Sequence, residues 1–150
     1  MEKLLNHRPP RIAALLALFT VVIYYASPAN TVLYIPYKFI GSTTVICGLT
    51  IMIWAWLQFK KSETNVCPTA ETTSLITGGA YRICRNPMYL GILLILTGIA
   101  FFIGVMQALF APTAFLLIMD KVFIPYEEDK LVKGFGEKYT EYVKSTRRWI

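Results

Sequence analysis

Two long stretches of this chain are almost free of charge, and that limits the fold more than any motif does. From Ile12 to Leu57 the only charged residue is Lys38, and from Asn86 to Met119 there is none. All other charged side chains fall in three clusters: the N-terminus to Arg11, Lys60 to Arg85, and the tail from Asp120 onward. A soluble helix alternates a charged face with an apolar one, and these stretches do not. The sequence therefore predicts an all-α integral membrane protein with about four transmembrane helices and a cytoplasmic amphipathic helical tail. With 150 residues, one membrane-embedded domain spanning 1–150 is expected.

The same map sets the orientation. If Ile12–Ala26 and Phe39–Leu57 each cross the bilayer, the N-terminus and Lys60–Arg85 share one side. These two clusters and the tail hold every Lys and Arg except Lys38, which marks that side as cytoplasmic. As one helix, Met88–Met119 would run roughly 48 Å, too long for a hydrocarbon core of about 30 Å. A hairpin turning near Gly104–Gln107 returns the tail to the cytoplasm, so both termini are expected there. Arg8 and Arg11 before the first apolar stretch, with Ala26-Ser27-Pro28-Ala29 after it, have the layout of a signal peptide. The small-residue cleavage pattern is poor, and the stretch is read as a span.

The net charge of +6 belongs mostly to the cytoplasmic face and points to membrane lipids with anionic headgroups as partners. No basic run is interleaved with stacking aromatics, so no nucleic acid is expected. Cys47, Cys67 and Cys84, with His7 as the single histidine, match no metal-ligand spacing, and no metal is expected.

Local signals divide the rest. Pro9-Pro10 stops the first helix from extending backward. Ser27–Lys38, with two prolines and two tyrosines, reads as an outer interfacial loop, and Lys60–Thr77 as a polar segment between spans. Asn86 is a favoured N-cap and Pro87 suits the first helical position. Glu127-Glu128-Asp129 suits a helix start or the end of the fourth span. Leu131, Phe135, Tyr139 and Tyr142 form an apolar stripe that Gly134 and Gly136 break into two short pieces. That stripe is expected on the membrane surface or against the cytoplasmic segment.

Polar residues gather at the cytoplasmic ends of the spans in two sets. One is Gly79-Ala80-Tyr81-Arg82-Ile83-Cys84-Arg85-Asn86-Pro87-Met88-Tyr89, and the other is Glu127-Glu128-x-x-Leu131-x-x-x-Phe135-Gly136-x-x-Tyr139. Taken together they resemble the isoprenylcysteine carboxyl methyltransferase family, whose outline the phospholipid N-methyltransferases share. The motif-bearing part is 73–149, about half the chain.

The resemblance implies an S-adenosylmethionine site. By position it would be lined by Thr73, Ser74, Leu75 and Ile76, by Tyr81, by Asn86, Pro87, Met88 and Tyr89, and by Glu127, with Glu128 added from the phospholipid branch. The acceptor it implies is a lipid-like molecule, such as the C-terminal carboxylate of a prenylated cysteine. These residue types suit the cofactor. Tyrosine faces attract a sulfonium, worth about 0.5–2 kcal/mol each, and a carboxylate binds an ammonium or ribose hydroxyls. Arg85, the one catalytic candidate, could hold the methionyl carboxylate. A carboxylate acceptor is already nucleophilic, so no catalytic base is named.

The chain departs from the eukaryotic pattern at two places. Asn86 stands where those enzymes have His, and Phe123 where they have a substrate-contacting Arg, which leaves the acceptor open. Plainer readings also remain open. Tyr81 and Tyr89 could be interfacial anchors, Asn86-Pro87 only a helix start, and Arg85 with Glu127 a structural ion pair. A sterol-type NADPH reductase carries a similar Arg-His-Pro-x-Tyr segment, and a non-catalytic membrane partner could keep the same fold.

Overall fold

The computed structural model describes residues 9–26, 35–61 and 74–150. In order, the elements are α1 (Pro9–Ala26), α2 (Ile35–Lys61), a 3-10 turn (Gly79–Arg82), α3 (Pro87–Ile103), a second 3-10 turn (Met106–Leu109), α4 (Phe110–Ile118), a π-helical turn (Met119–Phe123), α5 (Ile124–Phe135) and α6 (Glu137–Ser145). No strand occurs among the described residues. Among the described residues three helices are long and apolar enough to cross a membrane: Pro9–Ala26, Tyr37–Lys61 and the continuous Met106–Phe135; α3 is a shorter apolar helix. Their outer faces carry exposed large apolar side chains, Leu15, Phe39, Ile46 and Phe110 among them. Such a surface suits lipid, not water.

α2 and α3 form an antiparallel pair of unusually close backbones. A Cβ on Gly41 would lie 2.7 Å from the Gly98 carbonyl oxygen, and one on Gly48 would lie 2.6 Å from that of Gly91. Glycines seven residues apart on each helix thus face one another. Lipid tails are as apolar as leucine, so helix association in a bilayer depends on such close packing.

α3 ends where the hairpin was expected. Gly104 adopts φ 75° and its N–H returns to the Ala100 carbonyl at 3.0 Å, a left-handed cap that suits glycine. The returning arm runs further than either expected place for the acidic group: Glu127-Glu128-Asp129, read as a helix start or the end of the fourth span, lies within one helix that continues to Phe135. Pro125 lacks an N–H, and its ring would crowd the Lys121 carbonyl in a regular helix. The wider π turn directly before it absorbs that mismatch without breaking the helix. Gly136, at φ 55°, then separates α5 from α6, as the tail glycines suggested.

The core has two parts. Tyr89, Ile92, Leu96, Phe115, Met119, Phe123 and Ile124 join α3, α4 and α5, with Ile12 and Leu16 of α1 and Trp149 against them. Ala55, Ala80, Tyr81, Tyr139 and Tyr142 form a second cluster with Leu75, Ile76, Leu131 and Phe135 around it. The Leu131 stripe therefore packs on the polar segment, one of its two expected places. This second cluster lies at the end of the molecule where α2 finishes and α3 begins, called here the polar end.

Candidate functional site

Both motif sets meet at the polar end. The Tyr89 hydroxyl, in the first turn of α3, donates to Glu127 Oε1 of α5 at 2.6 Å. That is the length of a strong bond from a hydroxyl to a carboxylate. Tyr89 is buried, whereas Glu127 keeps part of its surface open. Tyr81 is buried in the 3-10 turn beside them. Its phenol pKa is pushed well up by burial, then by Tyr142 and by the charge of Glu127, so it stays protonated. Phe59 meets the Tyr81 ring edge-on at 5.7 Å. Gly79, at φ 61°, admits Gln58 of α2 so closely that a Cβ would sit 2.6 Å from its amide nitrogen. Leu75, Ile76 and Met88 complete the apolar surround.

The adjacent Glu128 has a different environment. It accepts from Arg85 at 2.8 Å and from Arg148, which uses Nε on one carboxylate oxygen and a terminal nitrogen on the other. Arg85 also donates to the Thr146 and Val143 carbonyls, and its own backbone N–H bonds Arg147 O at 2.8 Å. Its Nε is buried and has no hydrogen-bond partner among the described residues. Arg148 and the Trp149 indole N–H both reach Asp120 Oδ1, at 3.3 and 3.2 Å. The bond to Glu128 raises the guanidinium pKa of Arg148 further, which keeps it charged.

Asn86 occupies the N-cap position of α3, but its side chain does not cap the helix; Nδ2 donates to the Arg148 carbonyl at 3.0 Å. Pro87 is at the first helical position and fully buried. Tyr142 donates to the Tyr81 carbonyl at 2.6 Å and so fastens α6 to the 3-10 turn. Ser74 is partly buried at the edge of the cluster. Thr73 lies outside the described residues. Phe123 is fully buried in the first core, packed among Met119, Ile124 and Phe115.

The structure thus brings Leu75, Ile76, Tyr81, Met88, Tyr89 and Glu127 together, and pairs Arg85 with Glu128 instead of Glu127. Sequence reasoning had not singled out the C-terminal residues Thr146–Trp149, which hold the arginines and Asn86. Their only sequence signal is the Arg147-Arg148-Trp149 run at the end of an amphipathic tail.

Residues 36–138 match the family described as phospholipid methyltransferase. The chain belongs to that family. The chain is also similar to plant proteins named protein-S-isoprenylcysteine O-methyltransferase. A probable enzyme of Oryza sativa subsp. indica is 33% identical over 115 residues, 71% of this chain and 57% of that protein. The A form of Arabidopsis thaliana is 36% identical over 113 residues, 70% of this chain and 54% of its own length. An uncharacterized protein of Haemophilus influenzae is 35% identical over 63 residues, its entire length and 42% of this chain. The chain thus spans a little over half the length of the plant proteins it matches.

Proposed function

We propose that this chain is an S-adenosylmethionine-dependent methyltransferase of the membrane acting on a lipid-like acceptor. A prenylated cysteine carboxylate, as the plant relatives' names indicate, is the first acceptor to try. The observation that carries the reading is the Tyr89–Glu127 pair near Tyr81, a partly open acidic side chain bonded to one buried tyrosine and close to another at the polar end. This donor set fits the cofactor: Glu127 for its ammonium or ribose, Tyr81 and Tyr89 for its cationic half, and Leu75, Ile76 and Met88 for its apolar ring. When bound, the cofactor supplies an electrophilic methyl group to an in-line nucleophile. The protein's share is to orient the two reactants and exclude water, which its membrane setting favours. Both terminal nitrogens of Arg85 are already engaged, so Arg85 serves here as a clamp. The methionyl carboxylate falls instead to the N-terminal end of α3, which the Asn86 side chain does not cap.

A nicotinamide dinucleotide phosphate fits less well. Its phosphates call for uncommitted cations, and Arg85 and Arg148 beside the glutamates are both paired. Calorimetric titration of the purified protein with S-adenosylmethionine and with NADPH tests the reading. Micromolar binding of the first alone is expected; binding of NADPH alone indicates a reductase, and binding of neither a non-catalytic protein.

The proposed topology has four crossings, made by α1, α2, α3 and the Met106–Phe135 helix, with both termini cytoplasmic. α1 supports it, because Phe19 meets Phe110 edge-on at 5.8 Å near the hairpin, while Ile12 packs in the core that holds Trp149. Its N-terminal half therefore lies toward the polar end. Reporter fusions near Asn30 and after Ile150 are expected on opposite sides of the membrane. Anionic headgroups at the cytoplasmic face complete the proposed set of partners.

A further inference from the structure

The last residues of the chain form a strap between the two helices that supply Tyr89 and Glu127. On one side it is fastened to the start of α3. The Arg85 N–H bonds the Arg147 carbonyl, the Asn86 side chain bonds the Arg148 carbonyl, and the Arg85 guanidinium bonds the carbonyls of Val143 and Thr146. On the other side it reaches the long returning helix at two places. Arg148 and Trp149 hold Asp120, and Arg148 holds Glu128.

Those two places straddle a weak point. Asp120 lies inside the π turn Met119–Phe123, Glu128 lies beyond it, and Pro125 between them has no N–H to donate to the helix ladder. A helix with a π turn followed by proline has lost part of the ladder that fixes how its two halves are rotated. That rotation decides where Glu127 points. Arg148 holds both sides of the interruption with one planar, charged fork, and Trp149 adds a second bond to the nearer side.

We infer that the strap Thr146–Trp149, through Arg148, is a positioning element that aims Glu127 at Tyr89 by locking α5 across the π turn. Arg148 does not bond Glu127; it acts through Glu128 and Asp120. The inference rests on Glu127 being the cofactor's carboxylate ligand, as proposed above. Its structural half can be tested without the cofactor.

Two measurements on the full-length protein in detergent decide it. The first is hydrogen–deuterium exchange. Arg148→Gln is expected to speed exchange in residues 119–128 and 85–90 while leaving the Gly41–Gly98 and Gly48–Gly91 seam unchanged. Unchanged exchange in 119–128, or a uniform rise across all helices, overturns the strap. The second is a double-mutant cycle in S-adenosylmethionine affinity. Arg148→Gln is expected to weaken binding about tenfold, within the usual range of coupling between sites. Arg148→Lys should recover only part of that loss, because lysine cannot bridge two carboxylates as a fork. In the Glu127→Gln background, Arg148→Gln should have almost no further effect. Independent, multiplying losses would mean that the tail acts elsewhere and would overturn the proposal. A wild-type protein that binds no S-adenosylmethionine removes the function reading alone, while the exchange experiment still judges the strap.

Discussion

The α2–α3 seam and the polar end are held together by opposite means. Along the seam two helices approach until glycine carbonyls would collide with any added Cβ, and the contact is made by backbone. At the polar end Arg85, Asp120, Glu128, Arg148 and the backbone of the tail join through charged hydrogen bonds. The contrast follows from the two surroundings. In hydrocarbon an unpaired polar group is costly and apolar burial gives no gain, so shape complementarity remains. Near the headgroups water is at hand, charges are affordable when paired, and directional bonds can fix one orientation. Packing thus builds the scaffold, and the polar network aims the functional groups.

Substitutions at the two regions should separate stability from binding. The largest expected loss of stability is at Phe123, the core residue below the polar end, which is fully buried. Phe123→Ala should cost about 3–5 kcal/mol in a detergent melting experiment, because the cavity it leaves cannot collapse. Gly48→Leu comes next. Its Cβ would meet the Gly91 carbonyl oxygen at 2.6 Å, and the seam should lose about 1–3 kcal/mol or come apart. Gly134→Ala is the matched control, since a Cβ there meets nothing within 4 Å; a gain of about 0.5–1 kcal/mol is expected. If Gly48 and Gly134 behaved alike, the close seam would not be what holds α2 to α3.

The smallest effect concerns reactivity. Cys84 is fully buried, and burial pushes its thiol pKa above the ordinary value. The thiolate fraction at any given pH is therefore lower than for a free cysteine. In a variant with Cys47 and Cys67 replaced by serine, maleimide should label the protein slowly up to about pH 9 and quickly only after unfolding. Rapid labelling of the folded protein would show the polar end to be looser than its bonds imply.

Much of this architecture was legible in the sequence because it depends on local chemistry. Charge-free runs give the apolar helices, Pro87 begins α3, Gly104 ends it, and Gly136 divides the tail. Long-range features were less legible. The seven-residue glycine spacing of α2 and α3 is visible in the sequence, but only the packed pair shows that the glycines face each other. How far the returning helix runs beyond the acidic group was hidden, because whether a carboxylate ends a helix depends on its partners, and Asp120 finds Arg148 only 28 residues later. Asn86 reads as an N-cap by type and position, yet its side chain goes to a tail carbonyl instead. Arg85 and the two glutamates were recognisable as a group, but which glutamate takes the arginine is set by the helix face each occupies. Glu127 and Glu128 are neighbours in sequence and point to different partners.

That Glu127 belongs to the binding site through its bond to Tyr89 is the central claim, and one ratio tests it. Glu127→Gln and Glu137→Gln each replace one carboxyl group with an amide in the same part of the chain, yet only Glu127 is bonded to Tyr89, while Glu137 is exposed at the start of α6. Losing one partner of a partly buried charged hydrogen bond costs about 2–5 kcal/mol, roughly 30-fold to several-thousand-fold in affinity. A solvated charge should matter by less than about 1 kcal/mol. The ratio of S-adenosylmethionine dissociation constants for the two variants, with melting temperature as a folding control, is therefore expected to exceed about fivefold. Equal, small losses at both positions would contradict the account and return Glu127 to the surface of the protein.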